Sequence, residues 1–499
     1  MGSMGGAGER DEAMVRVKVS KREVVAAVLP VQEHWLPLSN LDLLLPPVDV
    51  SVFFCYIPAT ASNSNIDKDI DMMTTPPAPL PTFGSMVGAL KVSLAQVLIS
   101  YYAFAGEVVV NSAGEPELLC NNSGVDFIEA FADIRLHHLN LYNPDDSVEG
   151  KLVPSKKRGV LAVQATEFKC GGLVVACTFD HRIADAYSAN MFLSSWAEMC
   201  RSSSISVHPT FRRSLLYPRH QSTSNYHLDP AIDDMYVTLS NLSTPPPPPE
   251  SPLLTADVGE DQLVSRIYYV PADQLRQLQL AASSNDCKRT KLESFSSFLW
   301  KMVAQSSSFR SEDHPASSSN PRMSLTSKMG IVVDGRTKLR GDLSSYFGNV
   351  LSIPFGEKSV SELAGKPLSW IADGVHEFLQ AAATEEHFLG LIDWVEAHRP
   401  EPSLARIYCK GTEDGPAFVV SSGQRFPVAD INFGWGRPAF ASYHFPWGGD
   451  AGYVMPMPSP LDNDDWIVYM HLPKWQLLSI EMEAAHVFRP LTFHYLIKP

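Results

Sequence analysis

The sequence lacks the features that assign a chain to several common classes of protein. Its seven cysteines are odd in number, scattered and without a C-x-x-C pair, which predicts buried thiols in a reducing compartment and neither a disulfide framework nor a zinc site. Lysine and arginine total 40 against 55 aspartates and glutamates, a net charge of −15, whereas a nucleic-acid surface needs a basic face. No apolar run reaches the roughly 18 residues of a membrane span. We therefore expect a globular protein that binds no metal, nucleic acid or membrane.

Neither end of the chain carries a recognisable targeting signal. Residues 1–14 lack the apolar core of a signal peptide, and residue 6 is glycine where a myristoylation signal needs serine or threonine. The final Ile-Lys-Pro is not a peroxisomal signal. We expect a cytosolic protein and a monomer.

The length of 499 residues predicts two domains, because a single hydrophobic core stops growing at about 250 to 300 residues. Five consecutive prolines at 245–249 favour an extended, stiff spacer, although a surface loop inside one domain is an alternative interpretation. The predicted organisation is a flexible leader at 1–14, an N-terminal domain at 15–240, a linker at 241–262 and a C-terminal domain at 263–499. Loop-like composition is also found at 60–82, 243–252 and 306–321.

Hydrophobic periodicity predicts helices and strands in both halves. Apolar residues at spacings of three and four predict a helix over 85–102, and Thr290 with Glu293 forms a capping-box signature ahead of another helix. Runs of strand-forming residues predict strands at 48–56, 160–168, 173–179, 264–270, 328–333 and 466–472. Strands interleaved with helices in both halves predict α/β layering.

One His-x-x-x-Asp occurs in the chain, formed by His181 and Asp185, and it lies where a predicted strand gives way to a helix. The strands at 160–168 and 173–179 are joined by a turn with a glycine pair, and apolar spacing predicts a helix from residue 186 onward. Rigid elements on both sides would hold the histidine at a connection, where catalytic groups tend to lie. With aspartate at about one residue in twenty, about one such pair is expected by chance, so the spacing alone is weak evidence.

The motif has a catalytic and a structural interpretation. A neutral imidazole can remove a proton from an alcohol or amine near pH 7, because its unperturbed pKa lies near 6.5. The chain has no Gly-x-Ser-x-Gly elbow, so a single-step transfer with one base fits better than a covalent mechanism. In the structural interpretation, His181 only ends a strand and Asp185 is an ordinary first-turn residue that the helix dipole favours.

A second motif, NFGWG at 432–436, follows later in the chain. The pair of motifs resembles the HxxxD and C-terminal DFGWG of the BAHD family of plant acyl-CoA-dependent acyltransferases. The resemblance covers nearly the whole chain and is greatest to the branch that contains coniferyl alcohol acyltransferase. Further segments that carry it are SNLDLL at 39–44, AGEVVVNSAGEPELLCNNSGVDF at 105–127, DGRTKL at 334–339, YFGN at 346–349 and SYHFPWGGDAGYVMPMPSP at 442–460.

This resemblance implies both a fold and a reaction. The fold is a pair of similar-sized α/β domains of the chloramphenicol-acetyltransferase type, with the active site in a channel between them. The reaction is acyl transfer from a CoA thioester to the hydroxyl of an aromatic, phenylpropanoid-type alcohol. Acyl-CoA would be a co-substrate, with no permanently bound cofactor, no metal and no covalent intermediate.

The resemblance also implies roles for three residues. His181 would be the general base that takes the proton from the acceptor hydroxyl and returns a proton to the departing CoA sulfur. Asp185 would be structural, turned away from the substrate and paired with Arg336. The alternative for Arg336 is a solvated charge on a loop.

The second motif has a structural role by the same resemblance, in a loop far from the reaction centre that shapes the C-terminal domain near the CoA channel. An aromatic pair among glycines also predicts a tightly packed loop. Two residues depart from the family pattern, since Asn432 replaces the usual aspartate and Ala186 the usual glycine. Alanine would be strained at a positive φ but favours the start of a helix, and we expect activity to survive. The residues of the motif are Asn432, Phe433, Gly434, Trp435 and Gly436.

Substrate contacts are predicted in the C-terminal half. Lys288 and Thr290 match family positions that contact CoA, beside a helix N-terminus that can bind an anion, and the alternative is a solvated lysine next to a plain N-cap. Ser421 and Ser422 lie where many relatives carry a serine or threonine ahead of an indole, and Ser421 is a candidate for hydrogen bonding the acceptor or the oxyanion. A third set would either line the acceptor side or form helical core: Phe388, Leu391, Ile392 and Trp394.

Two other functions stay open. N-acylation of an aromatic amine or a polyamine uses the same chemistry, and a pocket rich in carboxylates would favour a polyamine. A catalytically silent relative that binds a small molecule is a different class, suggested by the departures at Ala186 and Asn432.

Overall fold

Two large β-sheets organise the fold. The structure is a computed structural model, and it describes residues 15–57, 81–219, 229–242, 262–284, 287–313, 325–409, 414–461 and 463–496. The helices of these residues are α1 Phe83–Val97, α2 Pro144–Ser147, α3 Ala186–Ser202, α4 Pro230–Asp233, α5 Ala272–Ala282, α6 Lys291–Asp313, α7 Val360–Gly365, α8 Leu368–Ala382, α9 Glu385–His398 and α10 Lys474–Glu483. The strands are β1 Val17–Val25, β2 His34–Pro37, β3 Asp49–Tyr56, β4 Glu107–Val110, β5 Pro116–Cys120, β6 Val125–Ala132, β7 Leu161–Phe168, β8 Leu173–Asp180, β9 Tyr236–Thr238, β10 Leu263–Val270, β11 Thr326–Ile331, β12 Val333–Asp334, β13 Leu351–Ser352, β14 Phe355–Ser359, β15 Ser403–Ala405, β16 Asp414–Val420, β17 Phe440–His444, β18 Gly452–Pro458, β19 Trp466–Pro473 and β20 Arg489–Pro490.

The first sheet has the order β1-β6-β7-β8-β3-β17. Its central strands β3, β7 and β8 are buried along almost their whole length, which is why they are continuous apolar runs in the sequence. Helices α1 and α3 pack against each other beside this sheet. Trp196 of α3 is fully buried, and its indole nitrogen donates to Leu90 O of α1 at 3.2 Å.

The second sheet has the order β14-β11-β16-β18-β19-β10-β20. β16 pairs in parallel with both β11 and β18, so the chain must leave the sheet between these strands. Helix α6 packs against this sheet through a second hydrophobic cluster that includes Phe295, Trp300 and Trp466. Each large sheet therefore has its own core.

Strand β17 crosses between the two halves. Although it follows β16 of the second sheet, it pairs antiparallel with β3 of the first, with Phe440 opposite Cys55 and His444 opposite Ser51. The next strand, β18, is back in the second sheet. The predicted C-terminal segment 263–499 thus contributes one strand to the N-terminal sheet, which no local pattern indicates. The predicted domain boundaries stay a prediction, since 1–14 and 243–261 lie outside the described residues.

The predicted fold class is confirmed, because two sheet-rich α/β domains are present. Each predicted strand coincides with an observed one to within a few residues at its ends. The loop predicted at 306–321 is wrong for residues 306–313, because α6 continues to Asp313. Ser306 and Ser307 fit the helix because their hydroxyls donate to Val303 O, at 2.7 and 3.1 Å. Most of the loop predicted at 60–82, and the run at 243–252, lie outside the described residues.

Candidate active site

His181 follows β8 directly and is held through its backbone from both halves of the chain. Its N–H donates to Val48 O at 2.9 Å, and its carbonyl accepts from Asn349 Nδ2 at 3.0 Å. Asn349 itself is anchored by Asp42, whose Oδ1 accepts from its N–H at 2.7 Å and from its Nδ2 at 2.9 Å. The strand end, the 39–44 segment and the 346–349 segment therefore fix one position of the histidine.

The ring of His181 opens into a cavity. Its Nδ1 is buried without a hydrogen-bond partner, and the residue lines the cavity. The cavity has a volume of about 840 Å³ and is lined by residues of both domains. In either neutral tautomer one ring nitrogen of an imidazole is an acceptor, which can take a proton from a bound molecule.

Four aromatic residues from the second half of the chain form one wall of this cavity, and we call Tyr408, Phe445, Trp447 and Tyr453 the aromatic wall. The Phe445 ring lies 6.5 Å from the His181 ring, between centroids. Trp447 makes an edge contact with Tyr408 at 4.6 Å, and Tyr453 makes one with Phe445 at 5.1 Å. Such pairs form a rigid apolar surface that suits a flat ring. The sequence interpretation missed these residues, although the aromatic density of 443–453 was a usable signal.

Asp185 does not line the cavity. It is fully buried, and its two oxygens accept from Arg336, at 2.7 Å from Nη1 and 3.1 Å from Nη2. Asp185 is also the N-cap of α3, where its Oδ1 accepts from Ser188 N at 2.9 Å, and its Oδ2 accepts from Val350 N at 3.1 Å. The carboxylate thus has a partner for each of its main bonding directions and does not face the cavity.

Tyr187 separates this ion pair from the cavity. The Arg336 guanidinium lies 4.4 Å from the centroid of the Tyr187 ring, a cation–π contact, and Tyr187 lines the cavity. The tyrosine hydroxyl donates to Ser344 O at 2.8 Å, which joins α3 to the second half of the chain. Asp334, on the cavity wall beside Arg336, has its pKa raised by burial.

Ala186 is the first residue of α3 and lines the cavity. It does not have a positive φ. Alanine in place of the usual glycine is therefore not strained by a positive φ, and it favours the start of the helix.

Ser421 and Ser422 both line the cavity at the end of β16. Ser421 N donates to Val454 O at 2.9 Å, so this backbone group is already used. The hydroxyl of Tyr453 donates to Met455 Sδ at 3.8 Å, and its pKa is raised to about 12 by burial, an effect that the neighbouring Ser421 side chain opposes. The aromatic wall and the two serine hydroxyls thus meet in one place.

Lys288 and Thr290 are exposed and do not line this cavity. Thr290 forms the capping box of α6, because its Oγ1 accepts from Glu293 N at 3.1 Å and its N–H donates to Glu293 Oε2 at 2.7 Å. Between them, Arg289 is buried and donates to Asp373 at 2.5 Å, while its Nε and Nη1 have no partner. The sequence interpretation did not single out this arginine.

The α9 residues weighed for the acceptor side form core instead. All four are buried, belong to one hydrophobic cluster and do not line the cavity. They are Phe388, Leu391, Ile392 and Trp394.

The NFGWG loop packs against the first domain. Asn432 Oδ1 accepts from Gly434 N at 2.9 Å and from Gly436 N at 3.1 Å, and both glycines have positive φ, 115° and 111°. Phe433 makes an edge contact of 4.8 Å with Trp196 of α3, and Trp435 stacks on Phe433 at 5.6 Å. The rings of this loop therefore pack on the first domain, ahead of β17, which belongs to the first sheet. A role of the loop in shaping the C-terminal domain near the CoA channel stays a prediction.

Among the residues that the structure describes, no helix combines the length and the apolar character that a membrane span requires. The same residues contain no group of three or more histidine, cysteine or acidic side chains arranged to hold a metal ion.

Comparison with known proteins agrees with the geometry. The family model described as Transferase family matches residues 15–70 and 72–487. The chain is 24% identical over 490 residues to shikimate O-hydroxycinnamoyltransferase of Nicotiana tabacum, a match that covers 95% of this chain and 97% of the relative. It is 26% identical over 486 residues to a hydroxycinnamoyl-CoA:5-hydroxyanthranilate N-hydroxycinnamoyltransferase of Avena sativa, covering 93% and 96%. The crystal structure of vinorine synthase superimposes with a TM-score of 0.65 at 20% identity, covering 96% of this chain and 100% of that one.

The protein has two α/β domains, and a histidine lies at a cavity that both domains line. Because the family model and the relatives are those of acyltransferases, the protein is an acyltransferase. The chain belongs to the Transferase family, the BAHD acyltransferases, whose members use acyl-CoA as co-substrate.

Proposed function

We propose that the protein transfers an acyl group from a CoA thioester to the hydroxyl of an aromatic alcohol of the phenylpropanoid type, as in the coniferyl alcohol acyltransferase branch. The observation that carries this proposal is the opening of the His181 ring into a cavity with an aromatic wall. A flat aromatic acceptor would pack on that wall with its side-chain hydroxyl near Nε2. A cytosolic location and a monomeric state remain our predictions.

The chemistry needs one base and no covalent intermediate. His181 Nε2 takes the proton of the acceptor hydroxyl as that oxygen forms a bond to the thioester carbonyl carbon. The carbonyl electron pair moves to oxygen, then returns as the C–S bond breaks. The imidazolium gives its proton to the departing thiolate, so the products are an ester and free CoA and the histidine is neutral again.

Other residues would place the reacting groups. Asp185, engaged with Arg336 at 2.7 Å, would orient the histidine segment and take no part in proton transfer. The hydroxyls of Ser421 and Ser422 lie on the cavity wall, where one of them would donate to the acceptor or to the developing oxyanion. Lys288 and Thr290, at the N-terminus of α6, would attract the anionic nucleotide end of CoA.

The direct test mixes the purified protein with coniferyl alcohol and a panel of acetyl-, malonyl-, benzoyl- and hydroxycinnamoyl-CoA, and follows release of free thiol. We expect release with at least one donor and an ester product by mass spectrometry. His181→Ala should lower the rate by about 10² to 10⁴-fold, while His486→Ala, at an exposed histidine, is the matched control. Absence of thiol release above the His181→Ala background with every donor and acceptor would favour a catalytically silent binding protein.

N-acylation is the second candidate. The cavity wall includes the carboxylates of Glu198 and Asp334, which would attract a protonated amine, and the Avena sativa relative is named as an N-acyltransferase. Aromatic amines and polyamines offered as acceptors in the same assay separate the two reactions. An amide product with no ester product would replace the O-acyl proposal.

The alternative of a catalytically silent binding protein depends on two departures from the family pattern. Ala186 starts α3 without a positive φ, and Asn432 Oδ1 accepts both glycine N–H groups of its loop. Neither departure leaves a local defect, which supports the catalytic proposal.

A further inference from the structure

We propose that His471, Ser265 and Tyr469 are positioning residues that fix the aromatic wall through a closed chain of hydrogen bonds on segment 445–447. The inference rests on the proposed function for the identity of the acceptor. None of the three side chains lines the cavity, so they act through Phe445 and Trp447.

Segment 445–447 belongs to the crossing between β17 of the first sheet and β18 of the second. Both Phe445 and Trp447 face the cavity, and their rings are nearly parallel, with an interplanar angle of 12°. No ladder of strand pairing holds this stretch, because it lies between two sheets. Its position must therefore be set by other contacts.

Four hydrogen bonds supply those contacts. Phe445 N lies 3.2 Å from Tyr469 Oη, and Tyr469 Oη lies 3.0 Å from Ser265 Oγ. Ser265 Oγ lies 3.0 Å from His471 Nδ1, and His471 Nε2 lies 3.2 Å from Trp447 O. The chain of bonds begins and ends on the same segment.

Elementary bonding rules orient every proton in this chain. A backbone carbonyl can only accept, so His471 Nε2 carries a proton and donates to Trp447 O, and the neutral ring then accepts at Nδ1. The single Ser265 proton must go to that nitrogen, so Ser265 accepts the proton of Tyr469. Tyr469 Oη in turn accepts from Phe445 N–H. Each of the three side chains donates once and accepts once, and no alternative direction satisfies all of them.

Because these side chains are buried, each of them depends on its protein partners for hydrogen bonds. Ser265 and Tyr469 are fully inaccessible and His471 is 5% exposed, so water cannot replace a lost partner. Burial also lowers the pKa of His471 to about 4, which agrees with the neutral ring that the bonding scheme requires.

This chain of hydrogen bonds also contacts the first domain. Ser265 N donates to Asp145 Oδ2 at 2.7 Å, and His444, the residue before the segment, bonds Glu149 Oε2 through Nε2 at 2.6 Å. Both carboxylates lie at or just after α2. The aromatic wall is thereby tied to both domains.

Breaking one link leaves a buried donor or acceptor unpaired, and the cheapest repair is a movement of the segment that exposes it to water. Ser265→Ala and Tyr469→Phe each remove two of the four hydrogen bonds with little change of volume. We expect KM for the aromatic alcohol to rise about tenfold, corresponding to about 1.4 kcal/mol, while KM for acyl-CoA stays unchanged. His471→Gln should keep a low acceptor KM, because an amide can donate to Trp447 O and accept from Ser265 Oγ, whereas His471→Leu should behave like Ser265→Ala.

The matched control is Ser327→Ala. Ser327 is also fully buried, accepting from Trp300 Nε1 at 2.9 Å and donating to Pro416 O at 2.8 Å, and it does not line the cavity. A merely structural role for Ser265 would give the two alanine variants the same profile, with equal losses of stability and no selective change in acceptor KM. That result would overturn the inference, as would failure of His471→Gln to differ from His471→Leu.

Amide hydrogen exchange keeps the test separate from the proposed function. The N–H of Phe445 should exchange faster in Ser265→Ala than in the wild type and in Ser327→Ala, whether or not any alcohol is acylated. If the wild-type protein acylates no alcohol, the proposed function fails, and exchange decides whether the hydrogen-bond chain holds the segment. Unchanged exchange at Phe445 would overturn the inference.

Discussion

Asp185 and Arg336 are joined by two hydrogen bonds, 2.7 and 3.1 Å long, and both side chains are almost completely buried. Asp185 is the N-cap of α3 beside the first sheet, and Arg336 lies two residues after β12, which follows β11 of the second sheet. The pair therefore connects the two domains next to the histidine that opens into the cavity.

We predict that Asp185→Ala destabilises the protein by about 3 to 5 kcal/mol, because the buried Arg336 charge would lose the carboxylate that accepts two of its hydrogen bonds and keep only the longer contact with Asp334, at 3.2 Å. The helix N-cap and the bond from Val350 N would be lost with it. Urea denaturation of the purified variant measures the loss. Activity should fall with the folded fraction and with the placement of His181.

The double variant Asp185→Ala, Arg336→Met separates charge from shape. Removing both charges should restore part of the stability that either single change removes, since the remaining carboxylate that contacts Arg336, Asp334, has a side chain that is 38% exposed. A double variant as unstable as the sum of the single ones would contradict an ion-pair role. Asp185→Asn, which keeps the oxygen that accepts from Ser188 N, isolates the contribution of the cap.

The strands and the His181 connection could be predicted from the sequence because their information is local. β7 and β8 are apolar runs with a glycine turn, and α3 begins at a capping aspartate. The aromatic wall could not be predicted in this way. Phe445 comes near His181 because β17 leaves its own half of the chain and pairs with β3, the neighbour of β8, and no spacing along the chain encodes that choice. The pairing of Asp185 with Arg336 came from family resemblance, since nothing in either local pattern points to the other.

Asn432 offers a test of what the usual aspartate contributes. Its Oδ1 accepts from the N–H groups of Gly434 and Gly436, and an aspartate oxygen could accept the same two bonds. Asn432→Asp should therefore leave stability and activity nearly unchanged. Asn432→Ala should lose about 1 to 3 kcal/mol for two hydrogen bonds, read as a lower urea midpoint. An aspartate variant with much higher activity would show that the charge matters in a way these bonds do not explain.

For CoA recognition, we predict that Lys288→Ala raises KM for acyl-CoA by about two- to fivefold, the size expected for an exposed charge. KM for the acceptor should not change, because Lys288 does not line the cavity. Lys18→Ala, at an exposed lysine of β1, is the matched control. The effect should shrink as salt is added, and equal KM values for the two variants would remove Lys288 from the CoA site.

A buried histidine outside the site predicts how stability depends on pH. His387 in α9 is buried, and its Nε2 lies 2.8 Å from Ser352 Oγ. Burial lowers the pKa of His387 to about 4 from an ordinary value of 6.5. Between these pH values His387 binds a proton in the unfolded chain but stays neutral in the folded one. The free energy of unfolding is therefore unaffected by this histidine above pH 6.5 and falls as the pH drops toward 4.

The size of this effect follows from the shift in pKa, at about 1.4 kcal/mol of stability per pH unit across the interval. His387→Gln cannot take up the proton in either state, yet its amide can still bond Ser352. Urea midpoints measured from pH 7 to pH 4.5 should therefore fall less steeply for His387→Gln than for the wild type, and His486→Gln, at an exposed histidine, should match the wild type. The remaining slope belongs partly to His471, whose pKa burial also lowers to about 4. Parallel curves for the wild type and His387→Gln would mean that His387 titrates alike in the folded and unfolded chains.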